Sequence, residues 1–368
     1  MISLNRPSRP FGMRLMSLAL LSVCLSLPLA VHAQPMGAEG DDFLYKVQPQ
    51  DTLENIARRF TLQSSLWQTL QRLNQVEDPY RLPIGKVLHI PLSLIPERPA
   101  AATVIHVTGS VTADGRTVES GDVLQAGQTL HSAPDSSATL QLEDQSLLTL
   151  PQDTTLQLQR LQAFEGTGLT DTRIGIDQGT LESSVAPAHT GVGRFEIRTP
   201  ATVTGVRGTR LRIHTDASGS RHELLQGSAA IDGTDRQQQH LVPDQGAAYD
   251  VHGTLLAMRP LLPAPQGLAL SQGHDRLDFD PIPDAVAYTV RITLDAEGSR
   301  LESRQQVAGP GAPLPGRSGT PRYAFVRGID AFGIEGRDAV LQLPATAILT
   351  TGTGLTVLSS DGAPVMLD

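Results

Sequence analysis

Hydrophobic positions near the amino-terminal end of the chain recur with the spacing of an α-helix. Two stripes are formed by Leu53, Ile56, Ala57 and Phe60, and then by Leu66, Leu70 and Leu73. Apolar residues three or four positions apart fall on one face of a helix, so these stripes predict two consecutive amphipathic helices. Asp51, with Glu54 three residues further on, predicts the N-cap of the first helix. Asn74 predicts the C-cap of the second helix.

Short apolar segments on either side of these helices predict strands. Tyr45–Val47 precedes the helices, and Lys86–Pro91 follows them after a turn-forming stretch from Asp78 to Gly85. The order is strand, helix, helix, strand, and pairing of the two strands buries both helical stripes against one sheet face. We therefore expect a small βααβ module over residues 42–92.

Beyond this module the period of the hydrophobic pattern switches to two. Three pairs of leucines alternate with polar residues: Leu140 and Leu142, Leu148 and Leu150, and Leu156 and Leu158. Turn-forming clusters separate the pairs, which is typical of consecutive short strands with one buried face. The same alternation continues at Val104–Val107, Ile174–Ile176, Phe195–Ile197 and Leu211–Ile213. We predict a turn-rich all-β domain over residues 104–235, reached through a Pro- and Ala-rich linker at residues 93–103.

The remaining third of the chain predicts a small β-sandwich over residues 261–345. Alternating segments at Arg276–Asp280, Ala287–Ile292 and Tyr323–Arg327 predict strands, and the Gly- and Pro-rich segment Val307–Thr320 predicts a long loop. Residues 236–260 predict a linker, and residues 346–368 predict a tail or hairpin with a turn at Ser360–Gly362. The predicted fold class is multidomain and mainly β.

The first 33 residues have the pattern of a secretory signal peptide. Arg6, Arg9 and Arg14 precede an apolar run that ends in Val31-His32-Ala33, and this pattern predicts cleavage after Ala33. The protein is then exported to the periplasm and cell envelope, with no transmembrane segment after cleavage. Two alternatives remain open: a lipoprotein signal that ends at Cys24, and retention of the apolar run as an uncleaved anchor.

Composition narrows the function classes further. The 368 residues carry a formal net charge of −9, which argues against nucleic-acid binding, since that function requires a clustered basic face. Hydrophobic residues make up 39% and charged residues 18% of the chain, so it is neither a disordered acidic chain nor a membrane bundle. Cys24 is the single cysteine, so an intramolecular disulfide is impossible.

Residues Tyr45–Pro91 resemble a LysM domain. The family pattern is roughly Y-x-V-x-x-G-D-T-L-x-x-I-A, then an Asn, then G-x-x-L-x-I-P, and Gln50 stands where the family usually has Gly. This resemblance implies binding of N-acetylglucosamine-containing glycan, here peptidoglycan, in a shallow groove between two loops. Backbone amides are expected to bind the acetamido group, and apolar side chains to contact its methyl. Mapped onto this chain, the glycan-binding positions are Gln50, Asp51, Thr52, Leu53, Pro79, Tyr80, Arg81, Leu82 and Ile84.

Trp67 is the single tryptophan of the chain and lies beside the apolar stripe of the second helix. We interpret it as a packing residue rather than as a platform for sugar stacking. Leu53 and Ile84 have a structural alternative of the same kind, as ordinary core residues of the module.

Two segments of the all-β domain resemble the FecR domain. Gly121–Leu130 is similar to its G-D-x-L-x-x-G-D-x-L signature, with Gln128 in place of the second Asp, and Thr199–Thr209 is similar to its T-P…V-R-G-T signature. The namesake family regulates a sigma factor across a membrane, but this chain lacks a sigma-binding segment and a second span. For Arg207 the interpretation is hydrogen bonding within the fold, with an anionic ligand as the alternative. Gly208 is expected to hold a backbone angle that a β-carbon would disfavour.

Residues 261–345 resemble a degenerate fibronectin type III domain. In that family a late strand is followed by an Asp-x-x-Gly-x-x-Gly turn, which is present here as Asp330–Gly336. Phe279 stands where the family usually has Trp.

Motifs for catalysis are mostly missing. Beyond residue 33 the chain has no Cys, which excludes a cysteine nucleophile. His131 and Asp135 supply an H-x-x-x-D pair, but the H-x-H that a zinc endopeptidase needs is missing, and so is H-E-x-x-H. His214 and His222 are eight residues apart, and we do not expect them to bind a metal. We predict no catalytic residue, no metal and no cofactor.

These observations indicate a non-enzymatic cell-envelope protein. The LysM module would tether it to peptidoglycan, and the two β domains would bind an envelope protein partner or another wall component. A signalling accessory related to FecR-type sigma-factor regulators is the first alternative. A peptidoglycan-remodelling enzyme is the second.

Overall fold

A computed structural model describes residues 37–185, 192–234, 238–316, 318–345, 347–348, 357 and 366–367. The proposed signal peptide and the Ser360–Gly362 turn lie outside these residues. Over the described ranges, every helix is too short or too polar to cross a membrane.

The amino-terminal module (residues 38–91) contains the predicted strand, helix, helix and strand, preceded by a short strand that the sequence did not predict. Its elements are β1 (Ala38–Glu39), β2 (Asp42–Lys46), α1 (Leu53–Thr61), a 3-10 turn (Ser64–Leu66), α2 (Trp67–Leu73) and β3 (Val87–Pro91). The strands form an antiparallel sheet in the order β1-β2-β3.

The core of this module is an aromatic cluster covered by helix α1. The ring of Phe60 lies 5.0 Å from the rings of both Phe43 and Tyr45, and all three side chains are buried. The α1 stripe is buried as predicted, whereas Leu73 of the α2 stripe is exposed. Leu70 is the buried residue of α2, and Leu73, one turn later, is the last residue of the helix and lies beyond the part that the sheet covers.

The large β domain (residues 97–260) contains sixteen strands in the parts that the structure describes, which leave out residues 186–191 and 235–237. They are β4 (Glu97–Pro99), β5 (Ala101–Thr108), β6 (Val111–Ala113), β7 (Arg116–Thr117), β8 (Val123–Gln125), β9 (Thr129–Ser132), β10 (Ser137–Leu142), β11 (Leu147–Leu150), β12 (Thr154–Phe164), β13 (Thr170–Ser184), β14 (Val192–Arg198), β15 (Val203–Asp216), β16 (Gly219–Asp232), β17 (Gln238–Leu241), β18 (Gln245–Tyr249) and β19 (Leu255–Pro260). A 3-10 turn, Leu92–Leu94, precedes them. The main path of the sheet is β19-β18-β16-β15-β14-β13-β11-β10-β5-β8.

The alternating leucines lie in β10, β11 and β12 and are buried, as their pattern predicts. The two segments that we expected to be linkers also contain strands of this sheet. In the first segment, Pro99 pairs with Gln162. In the second, Gln238–Leu241 pairs with β16, and β18 and β19 extend the sheet beyond it. Backbone pairing does not require apolar side chains, so the hydrophobic pattern did not reveal these strands.

The C-terminal sandwich (residues 269–343) has two sheets, as predicted. Its strands are β20 (Ala269–Leu270), β21 (Arg276–Asp278), β22 (Ala287–Thr293), β23 (Leu301–Val307), β24 (Gly311–Pro313), β25 (Arg322–Ile329) and β26 (Ala339–Leu343). The sheets have the orders β20-β21-β24 and β23-β22-β25-β26. Phe279 packs in the core with its ring 4.9 Å from that of Tyr288. β24 interrupts the segment predicted as a long loop. Two further strands, β27 (Ala347–Ile348) and β28 (Met366–Leu367), pair near the end of the chain.

The four-stranded sheet of the sandwich packs against the outer face of the large β domain through buried charges. Glu182 on β13 pairs with Arg291 on β22 at 2.8 Å and with Arg327 on β25 at 2.6 Å. Arg327 also pairs with Glu335 at 2.7 Å and with Asp338 at 3.2 Å. Both arginine side chains are about 1% exposed or less, so this contact is an ionic layer removed from water.

A second part of this ionic layer lies on β15 and β16. Arg212 donates hydrogen bonds to the backbone oxygens of Glu335 (3.2 Å) and Gly336 (2.6 Å). The backbone N–H of Glu335 donates to Glu223 Oε1 at 3.1 Å. Since one partner in each bond belongs to the sandwich, the layer joins the two domains.

The surroundings of this layer lower the pKa values of two of its glutamates and raise that of a third. Burial alone would raise the pKa of Glu182, but Arg291 and Arg327 lower it to about 2. Burial is likewise outweighed at Glu335, where Arg327, Arg304 and Arg212 hold the pKa well below its usual range. Glu223 behaves in the opposite way, because burial raises its pKa and nearby Glu335 adds to the effect, although Arg212 opposes it.

Candidate functional site: a groove between two loops of the amino-terminal module

The first loop of the site is a tight turn held by the start of helix α1. Gln50 has φ = 73°, which is the left-handed conformation that the usual family glycine adopts without strain. Its backbone oxygen accepts a hydrogen bond from Asn55 Nδ2 at 3.3 Å. Gln50 therefore keeps the turn that the family pattern predicts, with a side chain at a position suited to glycine.

The N-cap of α1 is Thr52, and the prediction that Asp51 has this role is wrong. Thr52 Oγ1 accepts from the Asn55 N–H at 3.1 Å, and Asn55 Oδ1 accepts from the Thr52 N–H at 2.9 Å, which completes a capping box. The Asp51 side chain makes other hydrogen bonds. Its Oδ2 accepts from the Tyr45 hydroxyl and from the Gln48 N–H, each at 2.7 Å.

This use of Asp51 also affects Tyr45. Burial of the phenol and its hydrogen bond to the Asp51 carboxylate raise the pKa of Tyr45 to about 12. Tyr45 thus remains a neutral donor at any ordinary pH. Asp51 fixes the loop to β2 by this bond, and its role in the structure is to shape the site.

The second loop presents an exposed aromatic ring. The Tyr80 N–H donates to Asp78 Oδ1 at 2.9 Å, which forms a turn, and the Tyr80 side chain is 92% exposed. Arg81 lies 3.9 Å from Asp78 at the surface. Ile84 is 69% exposed, so its alternative role as a core residue is excluded.

The two loops enclose a groove of about 290 Å³. It is lined by Thr52, Leu53, Glu54, Trp67, Pro79 and Tyr80. Four of the nine residues predicted from the family resemblance therefore line one surface. The other five lie outside its lining: Gln50, Asp51, Arg81, Leu82 and Ile84. Leu53 is 1% exposed, so its alternative role as a core residue is confirmed, and it lies beneath the groove.

Trp67 and Glu54 were not among the predicted site residues. Trp67 begins helix α2 and is half-buried beside the groove, so its ring packs on the module and also contributes to the groove wall. The signal in the sequence was its position at the start of the second helix stripe, where a helix end lies close to the loops. Periodicity alone could not indicate which part of the ring remained open.

Asn74 fixes the second helix to the sheet. As the predicted C-cap, its Nδ2 donates to the backbone oxygens of Leu70 and His89, each at 2.9 Å. Its Oδ1 accepts from the His89 N–H at 2.6 Å. These bonds set the position of α2, and with it that of Trp67, relative to the first loop.

The turns within Gly121–Leu130, the segment that resembles the FecR signature, have structural roles in this chain. Gly121 and Gly127 have φ near 100° and 94° and lie in two similar turns. Asp122 accepts from the Glu119 N–H at 2.9 Å, and Gln128 accepts from the Gln125 N–H at 2.8 Å. Gln128 therefore replaces the usual Asp without loss of the turn bond.

The Val-Arg-Gly-Thr segment lies within β15 and contains a β-bulge against β16. Gly208 has φ = 57°, in agreement with the conformation expected for it. A β-carbon on the facing Gly227 would collide with the Gly208 backbone oxygen. The Arg207 side chain lies outside the described part of the chain.

His214 and His222 lie on opposite faces of their strands and share no site. His222 is buried between Thr202, Thr204 and Ser220, and burial lowers its pKa to about 3. His214 lies 3.2 Å from Asp216 on the outer face. Within the described residues, no group of three His, Cys, Asp or Glu side chains is arranged to hold a metal ion.

Comparison with known families assigns two parts of the chain. Residues 45–91 match the family model of the LysM domain, and residues 128–230 match that of the FecR protein. Both are families of non-catalytic binding or regulatory domains. A search of curated proteins found no match.

Two crystal structures of a proposed anti-sigma factor from Parabacteroides distasonis ATCC 8503, at 2.50 and 1.65 Å resolution, are similar to part of the chain. Each is 11% identical with a TM-score of 0.30, and the match covers 36% of this chain and 59% of the other. A TM-score this low supports no argument from the likeness. The family models, by contrast, have the same order as the motifs. The LysM match covers Tyr45–Pro91, and the FecR match begins within Gly121–Leu130 and contains Thr199–Thr209. This chain therefore carries a LysM domain followed by a FecR domain.

Proposed function

We propose that this protein binds N-acetylglucosamine-containing glycan of peptidoglycan in the groove of its LysM domain. The observation that carries the proposal is the convergence of both loops on one groove, within the segment that matches the LysM family. The groove has two aromatic residues, Trp67 and Tyr80, and Leu53 is buried beneath it. Such surfaces suit the apolar face of a sugar and the methyl of its acetamido group.

Within this proposal the two loops have different roles. The first loop, Gln50–Leu53, brings backbone amide groups to the edge of the groove at the start of α1. The second loop, Pro79–Ile84, supplies Tyr80 as an exposed face, while Arg81, Leu82 and Ile84 border it. A single shallow site of this kind is expected to bind weakly, with Kd of roughly 10 µM to 1 mM.

The rest of the proposal concerns location and partners. The protein acts at the cell envelope, exported through residues 1–33 into the periplasm, and is held there by the wall glycan. Its FecR domain and C-terminal sandwich bind an envelope protein or another wall component. No catalytic step is assigned to any residue.

A signalling role is the second candidate function, because residues 128–230 match a family named for FecR. In that case the FecR domain senses a partner and relays through a separate membrane protein. Capture of a membrane-embedded regulator by crosslinking in intact cells would favour this function over a purely structural tether.

Co-sedimentation with purified peptidoglycan tests the glycan proposal directly. We expect the full chain to pellet and N-acetylglucosamine oligomers to release it. Tyr80→Ala removes an exposed ring and is expected to weaken binding about fivefold, corresponding to roughly 1 kcal/mol. Phe332→Ala removes another partly exposed ring, in the sandwich, and is the matched control. Equal pelleting of the two variants would contradict the assignment of the groove.

A further inference from the structure

A second cleft, distinct from the LysM groove, lies where the sandwich crosses the outer face of the FecR domain. It has a volume of about 350 Å³, and one wall is the turn Glu297–Ser299 between β22 and β23. The floor is the sheet formed by β11, β13, β15 and β16. Clefts of this size between two domains are frequent places for small-molecule binding.

Two rows of side chains cross this floor. The inner row contains Thr149, Glu182, Arg212 and Glu223, which are opposite one another in the strand register. Its charges belong to the ionic layer described above and are paired with one another or with charges of the sandwich. The outer row contains Leu147, Ser184, Arg210 and Gln226. It faces the open side of the cleft.

Two charges at the cleft are not used by the fold. Arg210 in the outer row is exposed and pairs with no described residue, and the same holds for Glu297 on the opposite wall. The two do not come within 4.0 Å of each other as an ion pair. The cleft therefore has a cation on one side and an anion on the other, separated by open space.

The wall that carries Glu297 is fixed in place. Gly298 O accepts a hydrogen bond from the buried Arg291 at 2.9 Å, and Ser299 O accepts one from Thr139 Oγ1 at 2.5 Å. The Arg300 N–H donates to Asp295 Oδ1 at 3.1 Å within the same turn. The backbone positions that carry the two charges are thus set before any ligand binds, which lowers the entropic cost of binding.

We propose that this cleft binds the head group of an α-amino acid, with the carboxylate on Arg210 and the ammonium on Glu297. A simple anion would face Glu297 and a simple cation would face Arg210, whereas a zwitterion pairs with both. The guanidinium fork suits a carboxylate. Leu147 and Leu225 give an apolar surface for the side chain of the ligand, and Ser184 and Gln226 offer hydrogen bonds.

Two sources supply this chemistry: a free amino acid, and the zwitterionic end of a diamino acid in a peptidoglycan stem peptide. The second source rests on the proposed function, while the cleft itself does not. Titration calorimetry on the full chain separates them, with D-alanine, L-leucine and free diaminopimelate in one arm. A muropeptide with a stem ending in diaminopimelate forms the other arm.

We expect binding in at least one arm, and loss of binding when the ligand is N-acetylated or carried as a carboxamide. Arg210→Gln and Glu297→Gln are each expected to weaken binding by roughly tenfold or more. Arg116→Gln, at another exposed arginine of the same domain, is the control. Binding of the free amino acids alone would identify a soluble amino acid as the ligand. Binding of the muropeptide alone would identify the stem peptide of the wall as the ligand.

Absence of heat in both arms at about 10 mM ligand would overturn the proposal, since it sets Kd beyond a useful range. Undiminished binding by Arg210→Gln and Glu297→Gln would also overturn it. Tyr80→Ala is run in parallel, because it affects glycan pelleting and leaves this cleft intact. A failure of the LysM groove is therefore distinguishable from a failure of the cleft.

Discussion

The large β domain meets its two neighbours in opposite ways. Towards the LysM domain its ion pair, Arg194 with Asp41 at 2.5 Å, is exposed, and the turn at Gly166 lies against Arg59 and Phe60 of helix α1. Towards the sandwich it uses Glu182 with Arg291 and Arg327, all largely removed from water. The charges at the first junction are solvated, whereas those at the second form an internal ionic layer.

This difference determines which parts of the chain can fold separately. Exposed pairs contribute little, and the LysM domain has its own aromatic core, so it is expected to unfold independently. A buried ion pair is strongly destabilising when one partner is lost, because the other charge remains uncompensated. The FecR domain and the sandwich are therefore expected to unfold together.

Trp67 makes the two units separable by experiment. As the single tryptophan it reports on the LysM domain by fluorescence, whereas far-ultraviolet circular dichroism is dominated by the strands of the other domains. Two transitions at different denaturant concentrations would support independent units, and one coincident transition would contradict them.

The largest effect is expected at Glu182. Glu182→Gln keeps the shape of the side chain but leaves Arg291 without its anion, and we expect a loss of about 3–5 kcal/mol from the unfolding of the β domains. The Trp67 signal should not change. Glu143→Gln, which breaks the surface pair with Arg98, should cost less than about 1 kcal/mol. Equal losses for the two variants would mean that the buried ion pairs stabilise the protein no more than a surface pair does.

Acid should weaken the same junction. The pKa of Glu182 is about 2 in the folded chain and ordinarily 4.5, so its contribution is complete above pH 4.5 and is lost as the pH falls towards 2. The loss amounts to about 3 kcal/mol by linkage. Glu223 has the opposite effect on stability. Its pKa is raised in the folded chain, so protonation of this group stabilises the fold. Unfolding free energies between pH 2 and 6 of the chain and of Glu182→Gln test this, because the variant should lack the Glu182 part.

Much of the architecture could be predicted because burial within one domain leaves a period in the sequence. The α1 stripe and the alternating leucines of β10 to β12 were identified in this way. Arg291 and Arg327 could not be identified, because they alternate with apolar residues like ordinary solvent-facing positions. A face covered by another domain and a face covered by water have the same pattern.

The LysM groove could be predicted only in part. Family resemblance located the two loops, and four of the predicted residues line the groove. Asp51 was assigned to the helix cap because its side chain is suitable, but the competing hydroxyl of Tyr45 is close only in three dimensions. Arg210 and Glu297 are 87 positions apart, and nothing in the sequence relates them.

A smaller effect is expected at Gln50, within the LysM domain. Its left-handed backbone costs roughly 1–2 kcal/mol for a residue with a β-carbon, while glycine has a larger entropy loss of about 0.5–1 kcal/mol. Gln50→Gly should therefore raise the stability reported by Trp67 by up to about 1 kcal/mol. Gln48→Gly, at a position without a positive φ, should lower it. An identical response of both variants would exclude relief of strain as the cause.

The smallest effect is expected at the solvated ion pair between the LysM and FecR domains. The Asp41 carboxylate is 83% exposed and pairs only with Arg194 among the described residues, while its backbone oxygen accepts from the Leu92 N–H and is unaffected by a side-chain change. Asp41→Asn should cost less than about 0.5 kcal/mol in either transition, and 1 M salt should reduce even that. A loss of several kcal/mol, or a shift of the Trp67 and strand transitions together, would mean that this exposed pair couples the LysM and FecR domains. The ion pairs of the two junctions would then differ in solvation without differing in strength.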